Sequence, residues 1–320
     1  MRGGPSPYLS CYRSMSDKLK TFFARLFSTV ILLGLLGGAV YWNNPAGYGI
    51  LICLMCNLTS MEWFRMLKGT TACRKLALGA GLLCPWLMFA THMVHMNREY
   101  IIYHDAPGSS PLFALLLLYI LLAFFVNLFQ MDYRGRSGHE ALESMGLTLV
   151  AFVFPVWMFS FGISALDAAS SIPVLLWLVL FTKMTDIWAY VCGVLTGRKL
   201  FKAPFSPAVS PKKSWEGIVG SYVISLTAGY FLWGWIIEEP VEKDMPLWGY
   251  VIMASILFTL SVTGDLAGSL IKRGLAVKDS GSLLPGIGGI FDLIDSPAFT
   301  VSVAFGFCPL LGACVGPFLS

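Results

Sequence analysis

The segment 269–296 holds an unusual concentration of groups that can do chemistry. It reads Ser269-Leu-Ile-Lys272-Arg273, then Lys278-Asp279-Ser280-Gly281, then Leu284-Pro285-Gly286-Ile287-Gly288-Gly289, then Asp292-Leu-Ile-Asp295-Ser296. Lys272, Arg273 and Lys278 are suited to neutralising phosphate charge. The glycine run, Gly288 and Gly289 included, lets backbone N–H groups approach phosphate oxygens, as in anion-binding nests. Asp292 and Asp295, with Asp265 just upstream, offer hard oxygen ligands. Mg²⁺ takes one or two such carboxylates together with substrate phosphates. If the chain is helical there, Asp292 and Asp295 lie one turn apart on one face. A solvated loop with ordinary turn glycines does not account for cations, glycines and carboxylates falling together.

A second cationic stretch reads Ser206-Pro-Ala-Val-Ser210-Pro211-Lys212-Lys213-Ser214-Trp215-Glu216-Gly217. Charge placement at a membrane surface would explain Lys212 and Lys213 alone, but not the polar set around Trp215. A third site lies inside an apolar run, where Lys183 and Asp186 sit three residues apart and can neutralise each other on one helical face. An ionised side chain at membrane depth costs several kcal/mol, so it is read as functional unless it only ties helices together.

These groups are carried by a chain of 320 residues that is 56% hydrophobic and only 12% charged, with a mean hydropathy of +0.71. Soluble domains carry about 25% charged residues, so the composition is that of an integral membrane protein. The 14% aromatic content excludes a disordered tail. The eight Cys are scattered, mostly within apolar runs, which is not a disulfide framework. A hydrocarbon layer about 30 Å thick needs roughly 20 apolar residues per helix. Spans are expected near 26–42, 47–61, 76–96, 111–130, 144–165, 172–195, 217–237, 246–266 and 297–318, nine in all, in an all-α polytopic fold. The first is too long for a cleavable signal and no A-x-A-like site follows it.

With these spans, 19 of the 22 Lys and Arg fall on the N-terminal side of the membrane. Arg98 and Lys243 fall on the other side, and Lys183 lies within the sixth span. The bias predicts a cytoplasmic N-terminus. It also puts both cationic stretches, in the loops 196–216 and 267–296, on the side facing cytosolic nucleotide. Two halves are expected: 1–165 with the first five spans and few polar residues within them, and 166–320 with the last four and the chemistry. No P-loop pattern occurs. His92, His95, His104 and His139 are scattered away from the acidic stretch, and Cys53-Leu-Met-Cys56 reads as apolar filler, so neither a His metal site nor a redox pair is expected.

The acidic stretch resembles the signature of the phosphatidate cytidylyltransferase (CDP-diacylglycerol synthase) family, S-x-x-K-R-x4-K-D-x-G-x2-L-P-x-H-G-G-x-x-D-R-x-D. Ser269, Lys272, Arg273, Lys278, Asp279, Gly281, Leu284, Pro285, Gly288, Gly289, Asp292 and Asp295 are in register with it. Ile287 stands where the family has His, and Leu293 where it has Arg. Asp186-Ile-Trp-Ala-Tyr190-Val-Cys-Gly193 looks like the family's D-x-x-A-Y-x-x-G. Ser210 to Gly217 looks like its S-P-x-K-T/S-W-E-G. The resemblance covers about residues 172–300.

It implies a membrane enzyme that joins CTP and phosphatidic acid into CDP-diacylglycerol and pyrophosphate with Mg²⁺. It further implies Asp265 and Asp292 as the chief metal carboxylates, supported by Asp295 and Asp186. Lys272, Arg273, Lys278 and Asp279 would belong to the catalytic set. Lys212, Lys213, Ser210, Ser214, Ser269, Gly288 and Gly289 would hold substrate. A homodimer and a second ion such as K⁺ are compatible with it, and no nucleic-acid partner is expected. The N-terminus lacks transit-peptide character, which suits a bacterial cytoplasmic (inner) membrane. Ile287 and Leu293 are compatible with a divergent active branch, an altered lipid acceptor or an inactive paralogue; the intact Asp and Lys positions favour the active branch. A CTP-dependent polyprenol or phytol kinase is the nearest rival. A transporter fits less well, because the polar residues gather at one face of one half.

Overall fold

The computed structural model describes residues 44–96, 111–163, 171–196, 201, 203–237, 246–284 and 288–306, together with Gly34 and Gly38. The helices are α1 (Pro45–Met66), α2 (Arg74–Met96), α3 (Pro111–Arg134), α4 (Gly138–Phe152), the short α5 (Met158–Ser160), α6 (Ser171–Thr196), α7 (Trp215–Ile236), α8 (Leu247–Gly274) and α9 (Phe291–Gly306). Among the described residues six stretches are long and apolar enough to cross a membrane: Arg74–Val94, Phe113–Met131, Gly138–Ile163, Ile172–Thr196, Trp215–Ile236 and Leu247–Gly274. The protein is thus an all-α polytopic membrane protein. The expected span 26–42 lies outside the described residues, apart from Gly34 and Gly38.

Helix ends differ from the hydropathy reading where caps decide them. The span expected from 144 begins at Gly138, because Ser137 and Glu140 form a capping box: the Glu140 N–H donates to Ser137 Oγ, and the Ser137 N–H to Glu140 Oε2, each at 3.2 Å. Pro155 then lies within the π-helical turn Val153–Trp157. A proline cannot supply the α-helical N–H, and the ladder widens there instead of breaking. The span expected to end at 266 runs on to Gly274 as α8. Ser269, Lys272 and Arg273 therefore stand on the same helix as Asp265, not in a loop.

The loop expected at 196–216 also carries structure. Its described part folds into a two-stranded antiparallel ribbon, β1 (Pro204–Ser206) against β2 (Ser210–Ser214), with Pro204 opposite Ser214 and Ser206 opposite Ser210. Ser214 ends the ribbon and caps α7, its Oγ accepting from the Gly217 N–H at 3.1 Å.

The main apolar cluster draws on both sides of the expected 165/166 division. It runs from Tyr48 and Ile52 through Phe152 to Trp177, Phe181, Trp233 and Ile294. Inside it, hydroxyls tie α6 to its neighbours: Thr185 Oγ1 to Ser261 Oγ at 2.6 Å, and Thr182 Oγ1 to Thr300 Oγ1 at 3.0 Å. Small and hydroxyl residues let membrane helices approach closely. Helices α8 and α9 pack against each other at Gly264, where a Cβ would lie 2.7 Å from the Asp295 carbonyl oxygen and 3.0 Å from Ser296 Cα. Both obstacles are backbone and cannot swing aside. Gly264→Ala is therefore expected to destabilise the fold by about 1–3 kcal/mol, read as a lowered thermal midpoint of the detergent-solubilised protein. An unchanged midpoint would show that α9 is not held at this distance.

Candidate active site

Helix α6, the ribbon, α8 and the start of α9 bring the charged residues together at one end of the helix bundle. Lys183 Nζ donates to Asp186 Oδ2 at 3.1 Å, and Ser296 Oγ of α9 donates to the same carboxylate at 3.2 Å. Lys213, fixed by β2, forms an ion pair with Asp265 of α8. A cavity of about 360 Å³ lies between them, lined by Thr185, Asp186, Tyr190, Lys212, Lys213, Ser214 and Asp265, with Ala189, Val194, Ile218 and Val262 as its apolar wall. Tyr190 and Val194 also face outward, so the cavity borders the apolar exterior of α6.

Next to it, Lys272 of α8 forms an ion pair with Asp292 Oδ1 and stands 3.8 Å from Asp295 Oδ2. Asp292 Oδ2 is committed to the glycine-rich segment. It accepts from the Ser280 N–H (3.1 Å), Ser280 Oγ (2.8 Å) and the Gly289 N–H (3.0 Å). Burial works against the charge of Asp292. The neighbouring Lys272 ammonium and the N–H groups of Gly289 and Ser280 outweigh it and hold the carboxyl below its ordinary value. Asp292 is an anion throughout the neutral range.

Thus Asp186, Lys212, Lys213, Ser214 and Asp265 share one cavity, and Lys272, Asp292, Asp295, Gly288 and Gly289 form the adjoining cluster. Ser210 opens β2 and Ser269 lies half-buried on α8, while Arg273, Lys278 and Asp279 stand exposed. Ile287 lies outside the described residues. Leu293 packs against the main apolar cluster and does not line the cavity.

Sequence reasoning missed Glu62. It sits near the end of α1 and is 2% exposed, with both oxygens bonded to the segment 280–291. The available signal was that Glu62 is the first charge after the charge-free run from Leu26 to Met61, at the edge of a span where a carboxylate needs a partner.

Among the described residues no three His, Cys, Asp or Glu side chains group closely enough to hold a metal ion alone. The donor set still fits Mg²⁺, which uses one or two carboxylates and completes its shell with water and substrate phosphates. Asp265 faces the cavity. Asp292 keeps Oδ1 on an exchangeable ammonium, while Oδ2 is oriented by the loop, the arrangement that hydrogen bonds give to metal-bound carboxylates.

Fold and site together define an integral membrane protein whose lysines and carboxylates converge on a cavity suited to phosphate-bearing ligands. The chain belongs to the cytidylyltransferase family, whose model matches residues 23–311. It is similar to the phosphatidate cytidylyltransferase of Haemophilus influenzae, 38% identical over 120 residues, which are 37% of this chain and 41% of that protein. It is also similar to the chloroplastic phosphatidate cytidylyltransferase 4 of Arabidopsis thaliana, 39% identical over 125 residues, 38% of this chain and 29% of that one. The chain therefore spans less than half the length of either. With the uncharacterised protein YnbB of Escherichia coli it is 26% identical over 313 residues, covering 90% of this chain and 98% of YnbB.

Proposed function

We propose that this chain transfers the cytidylyl group of CTP to phosphatidic acid, giving CDP-diacylglycerol and pyrophosphate for phospholipid synthesis. The observation that carries this reading is the cavity where Lys213 meets Asp265, beside the Lys272–Asp292 pair and open toward the apolar face of α6. A phosphate oxygen of the lipid attacks the α-phosphorus of CTP, the bond to the β-phosphate oxygen breaks, and pyrophosphate leaves. The lipid phosphate is already an anion, so the step needs no strong base and rests on positioning and charge neutralisation.

Lys212 and Lys213 bind and orient the triphosphate, and Lys272 holds phosphate oxygens on the other side, with Arg273 and Lys278 at the rim. The Gly288 and Gly289 backbone and Asp279 shape the adjoining wall; Ser210, Ser214 and Ser269 offer hydroxyls. Asp265 and Asp292 would hold Mg²⁺, with Asp186 and Asp295 in support; the ion would supply a Lewis acid for phosphate charge. A second ion such as K⁺ fits the same carboxylates.

The topology proposed with this function has nine spans, a cytoplasmic N-terminus and an active site facing the cytoplasm in a bacterial inner membrane. The last four spans carry the chemistry, and two copies pair as a homodimer. Leu293 packs against the apolar core, and the reading of a divergent but active branch rests on the intact Asp and Lys positions. The test is incubation of purified protein with phosphatidic acid, Mg²⁺ and CTP labelled at either the α- or the γ-phosphate. Label from the α-position is expected in the lipid phase. Label only from the γ-position, moving to a lipid alcohol, would replace this reading with a kinase.

A further inference from the structure

The glycine-rich segment is held by a residue from the far end of the sequence. Glu62 Oε1 accepts from the Ile290 N–H at 2.8 Å, and Oε2 from the Phe291 N–H at 2.9 Å and from Ser280 Oγ at 3.2 Å. Phe291 opens α9 and Ile290 immediately precedes it. Their N–H groups are among those a helix leaves unpaired at its start, where the helix dipole also favours an anion. Glu62 thus caps α9 from a separate helix. Among the described residues no lysine or arginine forms an ion pair with it, so these donors carry its charge. Ser280 is shared: its Oγ lies within bonding reach of both Glu62 and Asp292. Two glycines follow from the same contact. A Cβ on Gly281 would come within 2.6 Å of Glu62 Oε1, and one on Gly289 would collide with Glu62 Oε2 and Ser280 Oγ.

We infer that Glu62 is a positioning residue of the reaction: it fixes Ser280 and Gly289, the groups that aim Asp292, and through Asp292 it fixes Lys272. The kinetic part of this inference rests on the cytidylyl reading; the mechanical part does not. Glu62 touches no residue of the cavity itself, so its effect on turnover is indirect.

The test uses the full-length protein in detergent as wild type and Glu62→Gln, which keeps the side chain's size and one acceptor oxygen. Amide exchange in 280–291 is expected to quicken about tenfold in the variant, from the loss of an acceptor for buried donors, while exchange in α3 stays as it was. With phosphatidic acid and α-labelled CTP, kcat per folded molecule is expected to fall about ten- to hundredfold with the KM for lipid unchanged; an unchanged thermal midpoint, with faster exchange confined to 280–291, separates this from a general loss of folded protein. Glu62→Asp, which keeps the charge but shortens the reach, is expected to fall between the two.

Gly281→Ala covers the case in which Glu62→Gln does not fold. There the carboxylate stays and its contact is displaced, and the same local quickening is expected. Unchanged exchange in 280–291, or loosened exchange with kcat intact, would overturn the inference. A wild type that transfers no label would overturn the cytidylyl reading alone, because exchange judges Glu62 without substrate.

Discussion

Asp292→Asn is expected to lower kcat for cytidylyl transfer by about 10²- to 10³-fold while leaving the helix bundle folded. Removing one preorganised electrostatic group from an active site costs about 10²- to 10³-fold in kcat. Lys272 keeps Asp295 at 3.8 Å as a second counter-charge, so the ammonium is not left alone and the lower end of that range applies to the lost charge. The rest comes from the opposite side of the residue. Asp292 Oδ2 collects three donors from Ser280 and Gly289, and an Asn amide turned toward them would set N–H against N–H. Initial rates with α-labelled CTP, together with the thermal midpoint, decide the matter. A loss below about fivefold with a stable protein would remove Asp292 from the catalytic set.

That prediction rests on contacts the sequence shows unequally. The Lys183–Asp186 pair was legible because three residues on a helix is a fixed local geometry, and the structure places the two 3.1 Å apart. The run from Lys272 to Asp295 was legible as a set of residue types, but its pairings were not. Lys272 reaches Asp292 across 20 residues only because α8 continues beyond the expected membrane edge and the glycine-rich segment doubles back.

Lys213 and Asp265 lie on different elements, and their meeting depends on a ribbon that hydropathy does not register: 210–214 reads Ser-Pro-Lys-Lys-Ser, with no alternation of apolar and polar residues. Glu62 was hidden for a related reason. A carboxylate at the end of a span reads as an interfacial charge until the partner segment, more than 200 residues away, is known to sit on it. Local periodicity is written in neighbouring residues, whereas cross-element pairing is decided by how helices pack.

The second large effect belongs to Lys213. Lys213→Met keeps the length and apolar stem of the side chain and removes only the ammonium, and kcat/KM for CTP is expected to fall about 10- to 150-fold. That range corresponds to the roughly 1.5–3 kcal/mol of a charged hydrogen bond to phosphate. The Asp265 pair offers a competing explanation: the lysine would serve only to neutralise a carboxylate, and its loss would act through Asp265. A double-mutant cycle separates the two. If neutralisation were the whole role, Lys213→Met would cost almost nothing once Asp265 is Asn, because no charge would remain to balance. If Lys213 binds triphosphate, the penalty persists in the Asp265→Asn background and sits mainly in the KM for CTP. The cavity favours the second outcome: Lys213 lines it beside Lys212, Ser214 and Asp186, where an ammonium that merely balanced Asp265 would have no need of a second lysine at its side. Loss of the penalty in the double mutant would reassign Lys213 to holding α8 against the ribbon and leave Lys212 as the cation that meets the nucleotide.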